Sequence, residues 1–163
     1  MSAPELREPC FALEVQELLA QHDIPPTELV IEITETALIG RSTQTVASTL
    51  QQLHESGVGL ALDDFGTGFS SLSHLRDFHV DKIKIDKSFV HDLEEDASDR
   101  ALVDGLISLA CRLGIEVVAE GVETTAQRDY LRSFGCDYLQ GFIHSRPLTV
   151  KDAMIFLQEN DAR

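Results

Sequence analysis

Basic residues are scarce in this sequence. Its 163 residues include 13 Lys and Arg against 28 Asp and Glu, which gives a formal net charge of −15. DNA, RNA and anionic membrane surfaces attract clustered Lys and Arg side chains, and no such cluster is present. The composition therefore argues against nucleic-acid polymers or a membrane as partners. An acidic protein that handles an anionic substrate would most simply use divalent cations held by its carboxylates.

Long apolar runs and paired cysteines are also missing. No stretch of 18 apolar residues occurs, and residues 1–8 do not combine a basic segment with a hydrophobic one. This pattern predicts neither a membrane span nor a secretory signal, and we expect a cytoplasmic chain. The three cysteines, Cys10, Cys111 and Cys136, have neither CxxC nor His-flanked spacing. We therefore expect reduced, buried thiols without a disulfide framework or a zinc site.

Helical and strand-like segments alternate along the chain. The clearest amphipathic helix holds Val103 and Ile107 and is predicted to end at Gly114. Five short apolar runs are predicted strands: LVIEIT, GLALDD, KIKID, IEVVAE and YLQGF. Strands that are separated by helices and apolar on both faces pair in parallel through βαβ crossovers. The predicted fold class is α/β, with one domain over residues 1–163.

Two helix starts are predicted from capping residues. The segment HDLEEDASD, residues 91–99, is interpreted as a solvated charge run before a helix, with Ser98 or Asp99 at the N-cap. Thr149 is predicted to cap the last helix.

Polar residues stand at or near the carboxyl end of every predicted strand. They are Glu32 and Thr34, Asp63 and Asp64, Lys84 and Asp86, Glu120, and Gln140. In (β/α) barrels the reacting groups come from the carboxyl ends of several strands, so this pattern would gather them at one mouth. A single such residue is more often a helix cap or a turn former. Five successive strands with the same pattern favour a functional site.

The stretch ALDDFGTGFSSL carries the strongest local signal. Asp63 and Asp64 would point to opposite faces of an ideal strand, but both can lean toward one site at a frayed strand end. Crowded carboxylates are stabilised in their ionised form by a shared cation, which predicts metal ligands. Gly66 and Gly68 would let the backbone approach a ligand. With Lys84 nearby, a two-metal centre of this kind could act on a phosphodiester.

Five spaced motifs in this chain resemble the EAL family of cyclic di-GMP phosphodiesterases. They are EITET, DDFGTGFSSL, DKIKID, VVAEGVET and CDYLQGFIHSRPL, and they extend over nearly the whole chain from about Leu6 onward. The resemblance implies a TIM-like (β/α) barrel, of which this chain would form a part with about five parallel strands. It also implies hydrolysis of cyclic di-GMP to the linear dinucleotide with Mg²⁺ or Mn²⁺.

The resemblance also implies a role for each residue that matches a motif. Lys84 would contact the attacking water, and Glu120 would complete the metal and water site. The implied metal ligands are Glu32, Asp63, Asp64 and Glu120, with Asp63 bridging. The implied active-site loop contains Phe65, Gly66, Thr67 and Gly68, and Glu35 would support this loop. The residues implied to lie beside the nucleotide are Gln140, Glu123 and Pro147.

The chain also departs from the family pattern. The Glu-Ala-Leu signature and the segment with an asparagine metal ligand are absent. Five strands cannot close a barrel that needs eight, so two strand edges would be unpaired. We expect weakened metal binding and impaired hydrolysis by this chain alone, since a 1 Å misplacement can cost ~10²-fold in rate.

Two other functions fit parts of the pattern. A binding or interaction module would use the nucleotide loop and the strand edges without turnover, as a homodimer or with a partner that pairs with those edges. An aldolase-like barrel would use Lys84 as a Schiff-base lysine, but this leaves the paired acids and FGTG unexplained. The His22-Asp23 and His91-Asp92 pairs lack further metal ligands, and His144 is interpreted as a surface loop histidine.

Overall fold

Strands and helices alternate in the computed structural model, which describes residues 3–38, 43–66, 75 and 78–160. The strands are β1 (Val30–Thr34), β2 (Gly59–Phe65), β3 (Lys82–Ile85), β4 (Glu116–Ala119) and β5 (Tyr138–Leu139). The α-helices are α1 (Ala3–Leu6), α2 (Phe11–Gln21), α3 (Thr43–Glu55), α4 (Lys87–His91), α5 (Ala97–Leu113), α6 (Thr125–Ser133) and α7 (Val150–Asn160). Short 3₁₀ turns, Pro26–Glu28 and Glu35–Leu38, flank β1. The sequence also predicts a short helix over residues 72–78, and this segment lies largely outside the described residues.

The five strands form one parallel sheet. Their spatial order is β1, β2, β3, β4, β5, the same as their order in the chain. Each strand pairs in parallel with the next, and Val30 lies opposite Gly59 at the start of the first pair. The α/β prediction is therefore confirmed. Within the described residues β1 and β5 each pair on one side only, so both outer edges of the sheet are open.

Helices cover one face of this sheet. Along β1, Ile31 and Ile33 are buried whereas Val30 and Glu32 are exposed. The buried face packs against apolar residues of the helices, among them Val46, Leu50, Leu53, Val90, Val103, Ile107 and Leu131. β1 is therefore buried on one face only. A barrel strand places its helices outside, so its other face depends on residues across the barrel for cover.

Helix ends follow capping chemistry, with one correction. The predicted end of α5 is confirmed, since Gly114 has a left-handed φ of 72°. Its N-cap is Asp96, whose Oδ1 accepts a hydrogen bond from Ser98 N–H at 2.6 Å, so the prediction of Ser98 or Asp99 is wrong. The helix begins before those residues because the carboxylate of Asp96, two residues before Ser98, is available to cap it. Thr149 Oγ1 accepts from Asp152 N–H at 3.3 Å, which confirms the predicted cap of α7. Among the described helices, none combines the length and apolar character needed to cross a bilayer.

The three cysteines are free thiols, as predicted, but they differ in burial. Cys136 is buried, whereas Cys10 and Cys111 are exposed, so the expectation of burial is wrong for these two. Burial raises the pKa of the Cys136 thiol to about 11. A thiol reacts as its thiolate, so high pKa and burial both slow modification.

We therefore expect two fast thiols and one slow thiol in the folded chain. In a titration with Ellman's reagent at neutral pH, Cys136 should react at least ~100-fold more slowly than Cys10 and Cys111, because it is buried and because its raised pKa of about 11 leaves little thiolate. Adding denaturant should release the third thiol. A Cys136→Ala variant should keep both fast phases and lose the slow one. Three equal rates in the folded chain would contradict this assignment.

Candidate functional site

Lys84 on β3 gathers acidic residues from three neighbouring segments of the sheet. Its Nζ lies 2.8 Å from Glu32 Oε1, 3.2 Å from Asp63 Oδ1 and 2.5 Å from Glu120 Oε1. Glu32 comes from β1, Asp63 from β2, and Glu120 directly follows β4. The Lys84 side chain is only 5% exposed. The structure thus brings together four of the strand-end residues selected from the sequence, at the carboxyl edge of a parallel sheet.

The carboxylates around Lys84 determine its charge. Burial lowers the pKa of Lys84, but the hydrogen bonds that Lys84 donates to Glu120 and Glu32, together with the charge of Glu120, outweigh this effect and raise the pKa above its ordinary value. The side chain is therefore an ammonium at neutral pH. A Schiff-base lysine must reach its neutral amine form to attack a carbonyl. The charge state of Lys84 therefore disfavours the aldolase-like alternative.

A β-bulge separates the two adjacent aspartates. In the pairing of β2 with β3, Leu62 lies opposite Ile83 and Phe65 lies opposite Ile85, so β2 contains one extra residue. Asp64, within this bulge, has a φ of 56°, in the left-handed region. Bulges re-aim side chains and occur often beside active sites. Here Asp63 is partly buried at Lys84, while Asp64 is exposed.

The donor atoms at Lys84 fit a hard divalent cation. Asp63 Oδ1 is buried and has no hydrogen-bond partner among the described residues, although Lys84 Nζ lies 3.2 Å away. A buried carboxylate oxygen without a hydrogen bond is costly, and carboxylates are the ligands that Mg²⁺, Mn²⁺ and Ca²⁺ prefer. Within the described part of the chain, no three His, Cys, Asp or Glu side chains already surround a shared metal position. The ammonium of Lys84 lies where the three carboxylates converge.

The predicted active-site loop is only partly described. Phe65 belongs to β2, and its side chain is buried in the core, so its placement in the loop is wrong. A β-strand extends through this position because the bulge keeps Phe65 in register with Ile85. Gly66 follows, and a Cβ built on it would lie 3.1 Å from the Phe89 ring of α4. Thr67, Gly68 and the side chain of Glu35 lie outside the described residues.

The ends of β4 and β5 are joined through their backbones. Gln140 N–H donates to Ala119 O at 2.8 Å, and Val122 N–H donates to Gln140 O at 3.1 Å. This holds the segment after Glu120 against the end of β5. Gln140 itself is exposed there.

Two other predicted nucleotide contacts lie on the surface. Glu123 is exposed and lines a cleft of about 250 Å³ with Asp92, Glu94 and Glu95. Pro147 is exposed in the segment between β5 and α7. Neither residue is among the carboxylates that contact Lys84, which are Glu32, Asp63 and Glu120.

One residue of the site region was missed in the sequence. Gln127 is buried, its Nε2 donates to Val90 O at 3.1 Å, and its Oε1 accepts from Glu123 N–H at 2.8 Å and Thr124 N–H at 3.0 Å. It therefore ties the loop after β4 to α4. The spacing Thr124-x-x-Gln127 is a capping box, confirmed at the start of α6, and that pattern was the available signal.

A second lysine lies two residues before Lys84 on the same face of β3. Lys82 forms an ion pair with Glu116, and its Nζ lies 4.3 Å from the centroid of the Tyr138 ring. Tyr138 OH donates to Glu116 Oε1 at 3.0 Å. The hydrogen bond that Lys82 donates to Glu116 raises the pKa of Lys82. The face of the sheet away from the helices thus holds two lysines with separate acidic partners.

Comparisons with known proteins place this arrangement in a family. A model of the EAL domain matches residues 1–147. The bifunctional diguanylate cyclase/cyclic di-GMP phosphodiesterase MucR of Pseudomonas aeruginosa is 39% identical over 140 residues, which cover 86% of this chain and 20% of MucR. The EAL domain of Mycobacterium smegmatis DcpA has a TM-score of 0.90 and 36% identity, over 98% of this chain and 71% of that structure. Klebsiella pneumoniae BlrP1, in complex with manganese and cyclic di-GMP, has a TM-score of 0.80 and 38% identity, over 86% of this chain and 36% of that structure.

The match is close in fold and partial in length. The chain spans about a fifth of the first curated relatives it matches. Its open sheet of five parallel strands aligns with EAL domains, which have a TIM-like barrel fold, so the predicted partial barrel is confirmed. With the family model matched over most of its length, this chain belongs to the EAL domain family.

Proposed function

We propose that this chain binds cyclic di-GMP and supplies part of a metal-dependent site that hydrolyses it to the linear dinucleotide. The observation that carries the proposal is the buried Lys84 ammonium among carboxylates from β1, β2 and the end of β4. The relatives support it, since they include named cyclic di-GMP phosphodiesterases. The acidic site and the anionic ligand would require a divalent cation between them.

Four carboxylates would hold the cation, which we propose is Mg²⁺ or Mn²⁺. They are Glu32, Asp63, Asp64 and Glu120. Bound there, the metal would polarise a phosphodiester and lower the pKa of a coordinated water. Asp63 Oδ1 is the best placed donor because it is buried without a hydrogen bond among the described residues.

The other residues of the site would bind and orient the ligand. Lys84 would offset negative charge on the phosphodiester and hold the attacking water by a hydrogen bond. Gln140, at the end of β5, would line the same mouth, and Glu123 and Pro147 would lie near the nucleotide. The segment after the paired acids, with Gly66, Thr67 and Gly68, would position ligand and acids together, and Glu35 would support this segment.

We further propose that turnover by this chain alone is impaired. The described sheet is open, and the side chain of Glu32 is 48% exposed. One of the proposed metal ligands therefore remains in contact with water. Electrostatic stabilisation of a reacting phosphate depends on preorganised groups in a water-excluded site. A loosely held carboxylate would weaken both metal binding and rate.

A binding or interaction module is the second candidate. Both outer strand edges are open within the described residues, and Val30 and Tyr138 beside them are 41% and 46% exposed. Such edges can pair with a second copy or with another chain. This candidate predicts binding of cyclic di-GMP or a partner without product formation.

Thermal unfolding followed by circular dichroism tests binding, and chromatography of the nucleotide tests turnover. Mn²⁺ and cyclic di-GMP together should raise the stability of the folded chain by ~2.7 kcal/mol at a hundredfold excess over the dissociation constant. Cyclic di-AMP is the matched nucleotide control and should produce a smaller shift. Linear dinucleotide that forms only with metal supports the enzyme, and a shift without product supports the binding module. A melt indifferent to both ligands would contradict the proposed function.

A further inference from the structure

The ammonium group of Lys84 is the cation that lies among the site carboxylates. Lys84 Nζ contacts Glu32, Asp63 and Glu120 at 2.8, 3.2 and 2.5 Å. These distances are those of direct ion pairs, and the side chain is 5% exposed. The ammonium therefore occupies the convergence point of the three carboxylates.

A lysine in this position and a divalent ion would compete. Both are cations attracted to the same oxygens, and they repel one another at short range. Within the described residues, no three His, Cys, Asp or Glu side chains are already arranged to hold a metal ion. Lysine has a flexible stem and a compact charge, so its head group can move by rotation of its side chain without movement of the strand.

We propose that Lys84 is a tethered counter-cation that holds the site carboxylates together in the metal-free chain, and that a divalent ion binds by displacing Nζ from between them. The inference rests on the proposed function for the identity of the metal ligands. It adds a consequence for affinity: the lysine that stabilises the empty site also weakens metal binding.

Lys82 provides a matched control for this inference. It lies on the same strand and the same face, and it forms its own ion pair with Glu116 beside Tyr138. Its substitution removes the same charge from β3 without changing the contacts of Lys84. A general effect of net charge on metal binding would therefore appear in both lysine variants, and displacement would appear only at Lys84.

The experiment is a Mn²⁺ titration of the full chain without nucleotide, with free Mn²⁺ measured by electron paramagnetic resonance. Lys84→Met should bind Mn²⁺ about tenfold more tightly than the unsubstituted chain, the size expected when a like charge is removed from a partly solvated site. Lys82→Met should leave the affinity unchanged. Weaker or unchanged Mn²⁺ binding by Lys84→Met would overturn the inference, and so would the absence of Mn²⁺ binding in every variant.

Nuclear magnetic resonance of the unsubstituted chain keeps the test independent of variant folding. In a chain labelled with ¹⁵N at lysine Nζ, Mg²⁺ should shift the Lys84 ammonium signal and speed its hydrogen exchange, while the Lys82 signal stays in place. An unmoved Lys84 signal at saturating Mg²⁺ would overturn the inference. If these metal results hold but cyclic di-GMP neither binds nor reacts, the proposed function fails and the displacement stands.

Discussion

Substitution of Gly141 by alanine should cost about 3 kcal/mol or more of unfolding free energy. A Cβ on this residue would lie 2.2 Å from Val122 O and 2.4 Å from Val122 N. Both atoms are bonded, since Val122 N–H donates to Gln140 O and Val122 O accepts from Ile143 N–H. The added methyl would therefore push the segment after Glu120 away from β5 and break both links. Urea unfolding followed by circular dichroism measures the loss.

Gly114→Ala is the matched control for this prediction. Gly114 has a φ of 72°, but a Cβ built there meets no atom within 4 Å. Its alanine variant should lose only the cost of a left-handed backbone, about 1–2 kcal/mol. Metal binding should survive in Gly114→Ala and be weakened in Gly141→Ala. Equal losses for the two variants would show that the approach of Gly141 to Val122 does not hold the site together.

Substitution of Glu120 by glutamine should weaken Mn²⁺ binding by at least ~100-fold. This loss is larger than the loss seen when a residue that only hydrogen-bonds to a metal ligand is removed. Glutamine keeps the size of the side chain but removes the negative charge. Glu120 also lies at 2.5 Å from Lys84 Nζ, so its loss removes a direct partner of a buried ammonium. Turnover of cyclic di-GMP should fall at least as far as Mn²⁺ affinity. Calorimetric titration of Mn²⁺ into the full chain gives the affinity directly.

Glu116→Gln is the control for the same strand. Glu116 lies four residues earlier on β4 and pairs with Lys82 in place of Lys84. Its variant should lose part of the Lys82 ion pair and leave Mn²⁺ affinity unchanged. A comparable loss of Mn²⁺ affinity in Glu116→Gln would mean that the net charge on this face of the sheet controls metal binding. Glu120 would then have no specific role as a metal ligand.

Predictions from the sequence failed for features that depend on contacts with neighbouring helices and strands, namely a helix cap, a strand end and the burial of two thiols. The N-cap of α5 is Asp96 in place of Ser98 or Asp99, because several polar residues in a row can cap and only the packed helix selects one. Phe65 was assigned to a loop, but a bulge in β2 keeps it in the strand and its side chain in the core. Cys10 and Cys111 are exposed, although burial is expected from the sequence. Cysteine content alone does not show which residues of a helix face the solvent.

The sequence by itself determined the order of strands and helices, the parallel α/β class and the identity of the strand-end acids and Lys84. These follow from local periodicity, from glycine and capping signals and from motif spacing, all of which act over a few residues along the chain. Only the tertiary structure decided that Lys84 Nζ lies among Glu32, Asp63 and Glu120, that Gln127 ties the β4 loop to α4, and that β1 is exposed on one face. Contacts of this kind join residues far apart in sequence, and their geometry depends on strand register, the bulge at Asp63 and Asp64 and the packing of helices on one side of the sheet.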